Sequence, residues 1–131
     1  MNTNTNPPAE SRSSRILCFG SDTQAAALNV FTDDEHNYLL PYAQFLFAEW
    51  ISNPALEQEP DAPPEKLLIR FALAEVVVLG SGLNSIERDL QKYELSFVKS
   101  ADRRLAATLN TYVASVSITF TKEKILIQNR H

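Results

Sequence analysis

The stretch VVVLGSGLNS, residues 76–85, decides the fold, because a β-branched run ends there in two closely spaced glycines. Upstream, residues 66–79 give the strongest β signal in the chain, since they are rich in β-branched and apolar side chains. This run is long enough for two strands that turn at Ala72–Glu75, or for one long bent strand. Because the turn region holds no Gly, Asn or Pro, a tight two-residue hairpin turn is not expected there.

The residues after Gly82 predict an amphipathic helix over residues 84–93. Leu83, Ile86, Leu90 and Tyr93 follow one another at spacings of three, four and three. These spacings place the four side chains on one helical face, which we expect to be buried. A second helix is predicted over residues 100–110.

Alternating apolar side chains predict the remaining strands. Apolar side chains occupy every second position at Leu28 and Val30, and again at Tyr38 and Leu40. The short polar link between these two runs predicts a β-hairpin with one buried face. Further strands are predicted at residues 15–20, 95–98, 116–120 and 125–127. The predicted fold is therefore α+β, with a mainly antiparallel sheet of five to seven strands and one or two helices packed on one face.

The segment YAQFLFAEWI, residues 42–51, has two interpretations. Pro41 suits the first turn of a helix, and several good helix formers follow it, so we favour a helix over a strand. In such a helix Phe45, Phe47 and Trp50 would place apolar groups nearly all round, and the helix would be deeply buried or would lie at an interface. Phe47 and Trp50 are therefore the candidate interface residues of a self-associating protein.

The chain has the length of one domain. Residues 1–13 are polar and contain Pro7-Pro8, so we interpret them as a disordered tail ahead of a single domain over residues 14–131. Within that domain, residues 52–65 hold four prolines and four carboxylates. This composition predicts a Pro-rich acidic loop.

Cysteine usage and hydropathy predict the cellular setting. No apolar run approaches the roughly 18 residues of a membrane span, and the N-terminus lacks the apolar core of a secretory signal. The single cysteine, Cys18, cannot form an internal disulfide, and its apolar neighbours resemble those of a core thiol. These features predict a reduced cytoplasmic protein that does not bind membranes.

The glycine turn at residues 80–82 departs from the known phosphate-binding patterns. A dinucleotide-binding turn has a third glycine where this chain has Ser85. A phosphate loop that begins at Gly80 has Gly and then Lys where this chain has Ser85 and Ile86. We therefore predict a structural turn from strand to helix and no nucleotide cofactor. Ser81 or Asn84 is expected to cap the helix.

The remaining candidate catalytic groups are few. Asp33-Asp34-Glu35-His36 gathers carboxylates and an imidazole, but successive side chains point in different directions, which predicts a solvated turn and no metal site. Cys18 and His36 could form a nucleophile–base pair, yet nothing in the sequence brings them together. Ser81 lacks the flanking pattern of a nucleophile elbow, and His131 is the only other histidine. We predict no catalytic residue, cofactor or metal, and we favour a protein that is not an enzyme.

Charge is unevenly distributed along the chain. Residues 1–65 hold two basic and ten acidic side chains, whereas residues 66–131 hold ten basic and six acidic ones. The candidate anion contacts are Lys92, Lys99, Arg103 and Arg104. Sites for single-stranded nucleic acid interleave such charges with exposed aromatic residues. Here the neighbouring aromatic side chains are interpreted as core, and the net charge of −4 argues against nucleic acid, so a solvated basic face is expected.

Three apolar motifs carry a resemblance to short uncharacterised bacterial proteins of unknown function. LLPYAQFLFAEW, LLIRFA and VVVLGSGL resemble the pattern L-P-Y, then L-x-x-F, then V-x-x-x-G-x-x-L of such families, over residues 38–98. The resemblance implies no activity, and it agrees with a structural role for Gly80.

Three hypotheses about function follow from the sequence. The leading one is a non-enzymatic protein-interaction or regulatory module that self-associates. The alternative is a small anion- or nucleic-acid-binding protein that uses the basic patch. The third is an enzyme whose site the sequence does not reveal.

Overall fold

The computed structural model of the chain describes residues 18–121, and in this range it shows eight strands and one α-helix. In chain order the elements are β1 (Phe19–Ser21), β2 (Ala27–Phe31), β3 (Asn37–Pro41), β4 (Phe45–Ser52), β5 (Glu65–Phe71), β6 (Ala74–Ser81), α1 (Asn84–Gln91), β7 (Leu95–Val98) and β8 (Tyr112–Phe120). Short 3-10 helices occupy Tyr42–Gln44, Pro54–Glu57 and Arg103–Leu105. No helix within residues 18–121 has the length and apolar character needed to cross a membrane.

The strands form two four-stranded sheets. Sheet A has the order β1-β7-β2-β3, and sheet B has the order β4-β5-β6-β8. All neighbouring strands are antiparallel except β2 and β7, which are parallel. The α+β class is confirmed, but the strands are divided between two sheets where a single sheet was expected. Alternation in a sequence shows which face of a strand is buried and does not show which strands pair.

One apolar core lies between the two sheets. Leu28 and Val30 of sheet A and Ile69 of sheet B are fully buried in it. Helix α1 contacts β4 of sheet B and β7 of sheet A, so it links the sheets on one side. Its buried side chains, Ile86 and Leu90, belong to the same core.

The predicted hairpin of residues 28–40 is confirmed. Leu28 faces Leu40 and Val30 faces Tyr38 across β2 and β3. The side chains of Leu28, Val30 and Leu40 are buried, and that of Tyr38 is half-buried. The predicted helix after Gly82 and the strands at residues 95–98 and 116–120 are also present. In each of these elements one face is buried, so the period of the apolar residues identifies it.

The preference for a helix over residues 42–51 was wrong. Only Tyr42–Gln44 is helical, as one turn of 3-10 helix, and Phe45–Ser52 is strand β4. Among residues 18–121 this strand is the edge of sheet B, and its one pairing partner is β5. Pairing with β5 outweighs the helix propensity of the segment, because propensity is weak compared with tertiary packing.

The connection between β5 and β6 is a two-residue turn, contrary to expectation. Phe71 pairs with Ala74, so Ala72 and Leu73 alone make the turn. Neither residue has positive φ, so the turn does not need Gly or Asn. The Ala72 N–H donates to the Gln44 carbonyl at 2.8 Å, and the Leu73 carbonyl accepts the Thr121 N–H at 3.1 Å. Tertiary hydrogen bonds thus hold a turn that local sequence does not specify.

The predicted second helix over residues 100–110 is absent, and only the 3-10 turn Arg103–Leu105 occurs there. Asp102 and Thr108 bond the nearby backbone through their side chains, which competes with a continuous helix. Tyr93 also differs from its predicted core position. It lies beyond the end of α1 with φ of 57°, and it is 52% exposed.

Several predictions fall wholly or partly outside the described residues. These are the tail at residues 1–13, the first part of the strand at 15–20, and the strand at 125–127. Within the described range, β1 begins at Phe19.

Candidate protein interface

The glycine turn between β6 and α1 is filled by a carboxylate from the chain itself. The backbone N–H groups of Gly82 and Leu83 donate to the Glu65 carboxylate at 3.1 and 2.8 Å. A phosphate would need these same donors. The helix begins after Leu83 with no side-chain cap, so the expectation that Ser81 or Asn84 caps it was wrong.

Glu65 also accepts the indole N–H of Trp50 at 3.0 Å. Partial burial acts to raise the pKa of Glu65, but the hydrogen bonds from Trp50, Leu83 and Gly82 outweigh it and lower that pKa below its usual value. The carboxylate is therefore ionised at neutral pH and ties the edge strand β4 to the start of α1.

Both glycines of the turn are required by close backbone approaches. A Cβ atom on Gly80 would lie 2.0 Å from the Tyr112 carbonyl oxygen, and one on Gly82 would lie 2.1 Å from the Asn110 carbonyl oxygen. Gly82 also has φ of +64°, which other residues adopt at a cost. The turn lets β6 and α1 pack closely on the chain that leads into β8, which supports the structural interpretation of these glycines.

The acidic cluster at residues 33–36 forms the turn between β2 and β3, as predicted. The Asp33 carboxylate accepts the Val116 N–H at 3.1 Å, while Asp34 accepts the Thr32 hydroxyl and lies 3.2 Å from His36 Nδ1. The hydrogen bonds from Thr32 and, to a smaller extent, from His36 lower the pKa of Asp34. The carboxylates therefore serve separate structural contacts, and no group of three metal-ligating side chains occurs among the described residues.

Cys18 and His36 have separate surroundings. The Cys18 thiol is buried and accepts the Val113 N–H at 3.4 Å, and burial raises its pKa. His36 contacts Asp34 and stacks on Tyr38 at the β2–β3 turn. This arrangement matches a core thiol and not an activated nucleophile.

The candidate anion contacts lie in the segment that surrounds β7. Lys92 precedes β7 and Lys99 follows it, so the two lie toward opposite ends of that strand. Lys99 Nζ sits 5.8 Å from the centre of the Phe97 ring, and Arg104 pairs with Asp102 at 2.8 Å. Arg103 is exposed in the same 3-10 turn as Arg104.

The two candidate interface residues lie on β4, where apolar side chains are exposed. Phe47 is 51% exposed and Trp50 is 43% exposed. Leu46, the extra residue of a β-bulge between Phe45 and Phe47, is 58% exposed. We call Leu46, Phe47 and Trp50 the exposed apolar residues of β4. The strand that the sequence left undecided therefore carries three exposed apolar side chains on a sheet edge.

The hydrogen-bond pattern shows which backbone groups of β4 point away from the sheet. The Asn53 N–H donates to the Pro64 carbonyl at 2.9 Å, in the register that pairs Ser52 with Glu65. Because bonded and non-bonded pairs alternate in an antiparallel ladder, Glu49 and Ile51 also bond to β5. The N–H and C=O groups of Ala48, Trp50 and Ser52 therefore point outward, and we call these three the outward residues of β4.

The opposite edge of sheet B, strand β8, is closed at Val113 and Val116 by contacts within the chain. Val116 and Asp33 form two hydrogen bonds. The Val116 N–H donates to the Asp33 carboxylate, and the Asp33 N–H donates to the Val116 carbonyl. Val113 accepts the Ala101 N–H at 2.9 Å and donates to Cys18. The outward residues of β4 have no such partner within residues 18–121.

A small groove runs beside Phe47, one of the exposed apolar residues of β4. It lies between β4 and α1, has a volume of about 180 Å³, and is lined by Phe45, Phe47, Ala48, Glu87, Leu90 and Gln91. Pockets for cofactors and other small ligands are commonly about 300–1,000 Å³. The groove therefore suits one side chain of a protein partner better than a cofactor.

Sequence reasoning missed two residues of this site, Leu46 and Glu65. Glu65 was assigned to the Pro-rich loop, although it shares the strand period of Leu67, Ile69 and Phe71, which marks it as the first inward residue of β5. The exposure of Leu46 follows from the bulge, for which the sequence carries no signal.

Comparisons of the chain with known protein families, with curated proteins and with solved structures give no match. The geometry of the β4 edge is therefore the basis for assigning a function.

Proposed function

We propose that this protein is a non-enzymatic interaction module that binds an extended segment of a protein partner along the free edge of β4. One observation carries the proposal. The outward backbone groups of Ala48, Trp50 and Ser52 have no partner in the described chain, and Leu46, Phe47 and Trp50 expose apolar surface around them. In strand addition of this kind, main-chain hydrogen bonds supply affinity and neighbouring side chains supply specificity.

An open edge of this kind is costly for a protein that does not use it. Soluble proteins protect sheet edges with prolines, lysines, bulges or covering loops, because a free edge promotes aggregation. Strand β8 is covered at Val113 and Val116. Strand β4, by contrast, is eight residues long and carries one bulge and one charged side chain, Glu49. The contrast between the two edges of one sheet supports a binding role for β4.

The placement of the chemically reactive groups supports a non-enzymatic role. Asp33, Asp34 and Glu65 accept hydrogen bonds that hold turns together, and Cys18 is buried in the core. A buried, unpaired thiol also supports a reducing, cytoplasmic location, which we include in the proposal.

Native mass spectrometry combined with two β4 variants tests this function. Ala48→Pro removes an outward N–H, and Phe47→Ser removes exposed apolar surface. We expect the wild-type protein to carry additional protein subunits, of its own kind or another, and we expect each variant to lose most of them.

Leu39→Ser is the matched control for Phe47→Ser. Leu39 is 68% exposed on β3, the edge of the other sheet, so its loss removes apolar surface away from β4. The control should keep its subunits. A wild-type protein that is strictly monomeric and retains no protein partner would contradict the proposal, and so would full association of Ala48→Pro.

A further inference from the structure

We propose that the strand bound at the β4 edge is β4 of a second copy of this protein, antiparallel to the first, with Trp50 of both copies facing each other on a two-fold axis. This inference rests on the proposed function and names its partner. It joins the two B sheets into one continuous sheet across a symmetric dimer.

The spacing of the outward residues makes this edge self-complementary. A two-fold axis at Trp50 places Ala48 of one copy opposite Ser52 of the other, and Trp50 opposite itself. All three are outward residues, so every pair can exchange both its N–H···O=C bonds. In a symmetric dimer the same surface of both copies must be complementary to itself. This register meets that requirement, because it pairs the N–H and C=O groups of all three outward residues.

Registers centred closer to the bulge fit less well. An axis at Glu49 places two carboxylates directly opposite each other, which is destabilising, and it pairs Ser52 with the bulged residue Leu46. An axis at Ala48 draws the bulge into the centre of the paired segment, where the ladder is disrupted. The Trp50 register uses only residues 48–52, which lie beyond the bulge and pair regularly with β5.

Charges on the outer face of sheet B favour the same register. Glu49 lies opposite Leu68, and Ile51 lies opposite Lys66, across β4 and β5. With the axis at Trp50, Glu49 of one copy lies opposite Ile51 of the second copy. Lys66 of the second copy lies beside that Ile51, on the next strand of the same sheet face. Two strand spacings separate the backbones, about 10 Å, which the extended side chains of Glu and Lys together can bridge.

Both charges are available for this contact. Neither Glu49 nor Lys66 makes an ion pair in the part of the chain that the structure describes. The symmetry of the dimer forms the pair twice, once on each side of the axis. Acidic and basic groups therefore meet across the interface where the alternative register would place like charges together.

Cysteine cross-linking tests the register. Ala48→Cys and Ser52→Cys are made as separate variants, and each is oxidised alone and after mixing with the other. Directly opposed residues of a bonded pair have Cα atoms about 5.5 Å apart, a distance that a disulfide spans. The native Cys18 is buried and does not compete. We expect a disulfide-linked dimer in the mixture and none from either variant alone.

The other outcomes separate this inference from the proposed function. A cross-link formed by Ala48→Cys alone would overturn the Trp50 register. A second outcome is a mixture that gives no cross-link while the wild-type protein still carries bound subunits that the Ala48→Pro variant loses. That result would show that the partner is not a second copy, and it would leave the strand-binding function standing. A wild-type protein without any bound subunit would overturn both.

A charge-reversal pair keeps the inference testable if a cysteine variant fails to fold. Glu49→Lys and Lys66→Glu should each weaken the homodimer, by roughly two- to thirtyfold in Kd for two exposed ion pairs. A mixture of the two variants should form the heterodimer in preference to either homodimer. Equal dimerisation of all combinations would contradict the proposed contact.

Discussion

The Glu65 carboxylate accepts the backbone N–H of Leu83 at 2.8 Å, so the first residue of β5 holds the start of α1. The same carboxylate accepts the Trp50 indole N–H, which connects the turn to the β4 edge. An internal side chain thus takes the place that an anionic ligand would need, and it positions the residue on which the proposed dimer axis lies.

Replacing Glu65 with Gln should destabilise the protein by about 1–2 kcal/mol at neutral pH, because hydrogen bonds to a charged acceptor become weaker bonds to a neutral one. Trp50 is the only tryptophan in the chain, so its fluorescence reports unfolding at this site. Denaturant unfolding followed by that fluorescence measures the change.

The same substitution predicts a pH dependence with a defined sign. The pKa of Glu65 is lowered in the folded protein, so its stabilising contribution is present above the unfolded pKa, about 4.3, and is lost as pH falls through the lower folded pKa. The stability difference between wild type and Glu65→Gln should therefore shrink below about pH 4. The exposed Glu59→Gln is the control, and a difference that stays constant from pH 7 to pH 3 would contradict the assignment.

Substituting the glycines of the turn should destabilise the fold through two distinct effects. Gly80→Ala forces a methyl group against the Tyr112 carbonyl oxygen, which we expect to cost about 1–3 kcal/mol. Gly82→Ala should lower the free energy of unfolding by about 1–2 kcal/mol, because residue 82 has positive φ. Thermal unfolding of both variants, with Ser81→Ala as the neighbour that should change little, measures the effect. Wild-type stability in either glycine variant would show that the turn relaxes.

The Asp33–Val116 contact predicts how the edge of β8 stays closed. Asp33→Ala leaves the buried Val116 N–H without its acceptor, so we expect a loss of about 1–3 kcal/mol. Asp33→Asn keeps an acceptor oxygen in the same place and should lose less. Amide hydrogen exchange at Val116 is the direct readout. Equal protection in wild type and Asp33→Ala would mean that the carboxylate does not shield this edge.

Sequence patterns identified the elements that bury one face and failed where pairing partners decide the structure. The period of Leu83, Ile86 and Leu90 predicts α1, and the alternation of Leu28 with Val30 predicts β2. By contrast, residues 42–51 contain good helix formers, and only the neighbouring strand β5 makes them a strand. The Ala72-Leu73 turn is likewise held by hydrogen bonds from Thr121 and to Gln44, which are distant in the sequence.

The site was predictable in part for the same reason. Phe47 and Trp50 were recognisable as apolar residues in excess of what a helix could bury, and both are exposed on the edge of sheet B. Which backbone groups of β4 face outward depends on its register with β5, a tertiary property. The separation of Lys92 from Lys99 by β7 was also invisible in a sequence where they lie close together.

Two proline substitutions at adjacent positions of β4 should differ strongly in their cost to stability. Ala48 points its N–H away from the sheet, so Ala48→Pro removes no hydrogen bond from the folded monomer and should change its stability by less than about 1 kcal/mol. Glu49 bonds to β5 by the alternation that the Asn53–Pro64 bond establishes, so Glu49→Pro should cost about 3 kcal/mol or more.

Denaturant unfolding of the two variants at low protein concentration, where association does not contribute, measures this difference. Glu49→Ala is the control that removes the side chain and keeps the N–H, and it should stay close to wild type. If Ala48→Pro proved the more damaging of the two prolines, the outward residues of β4 would be Glu49 and Ile51. The register centred on Trp50 would then lose its hydrogen bonds, because a symmetric edge can pair only through groups that face away from β5.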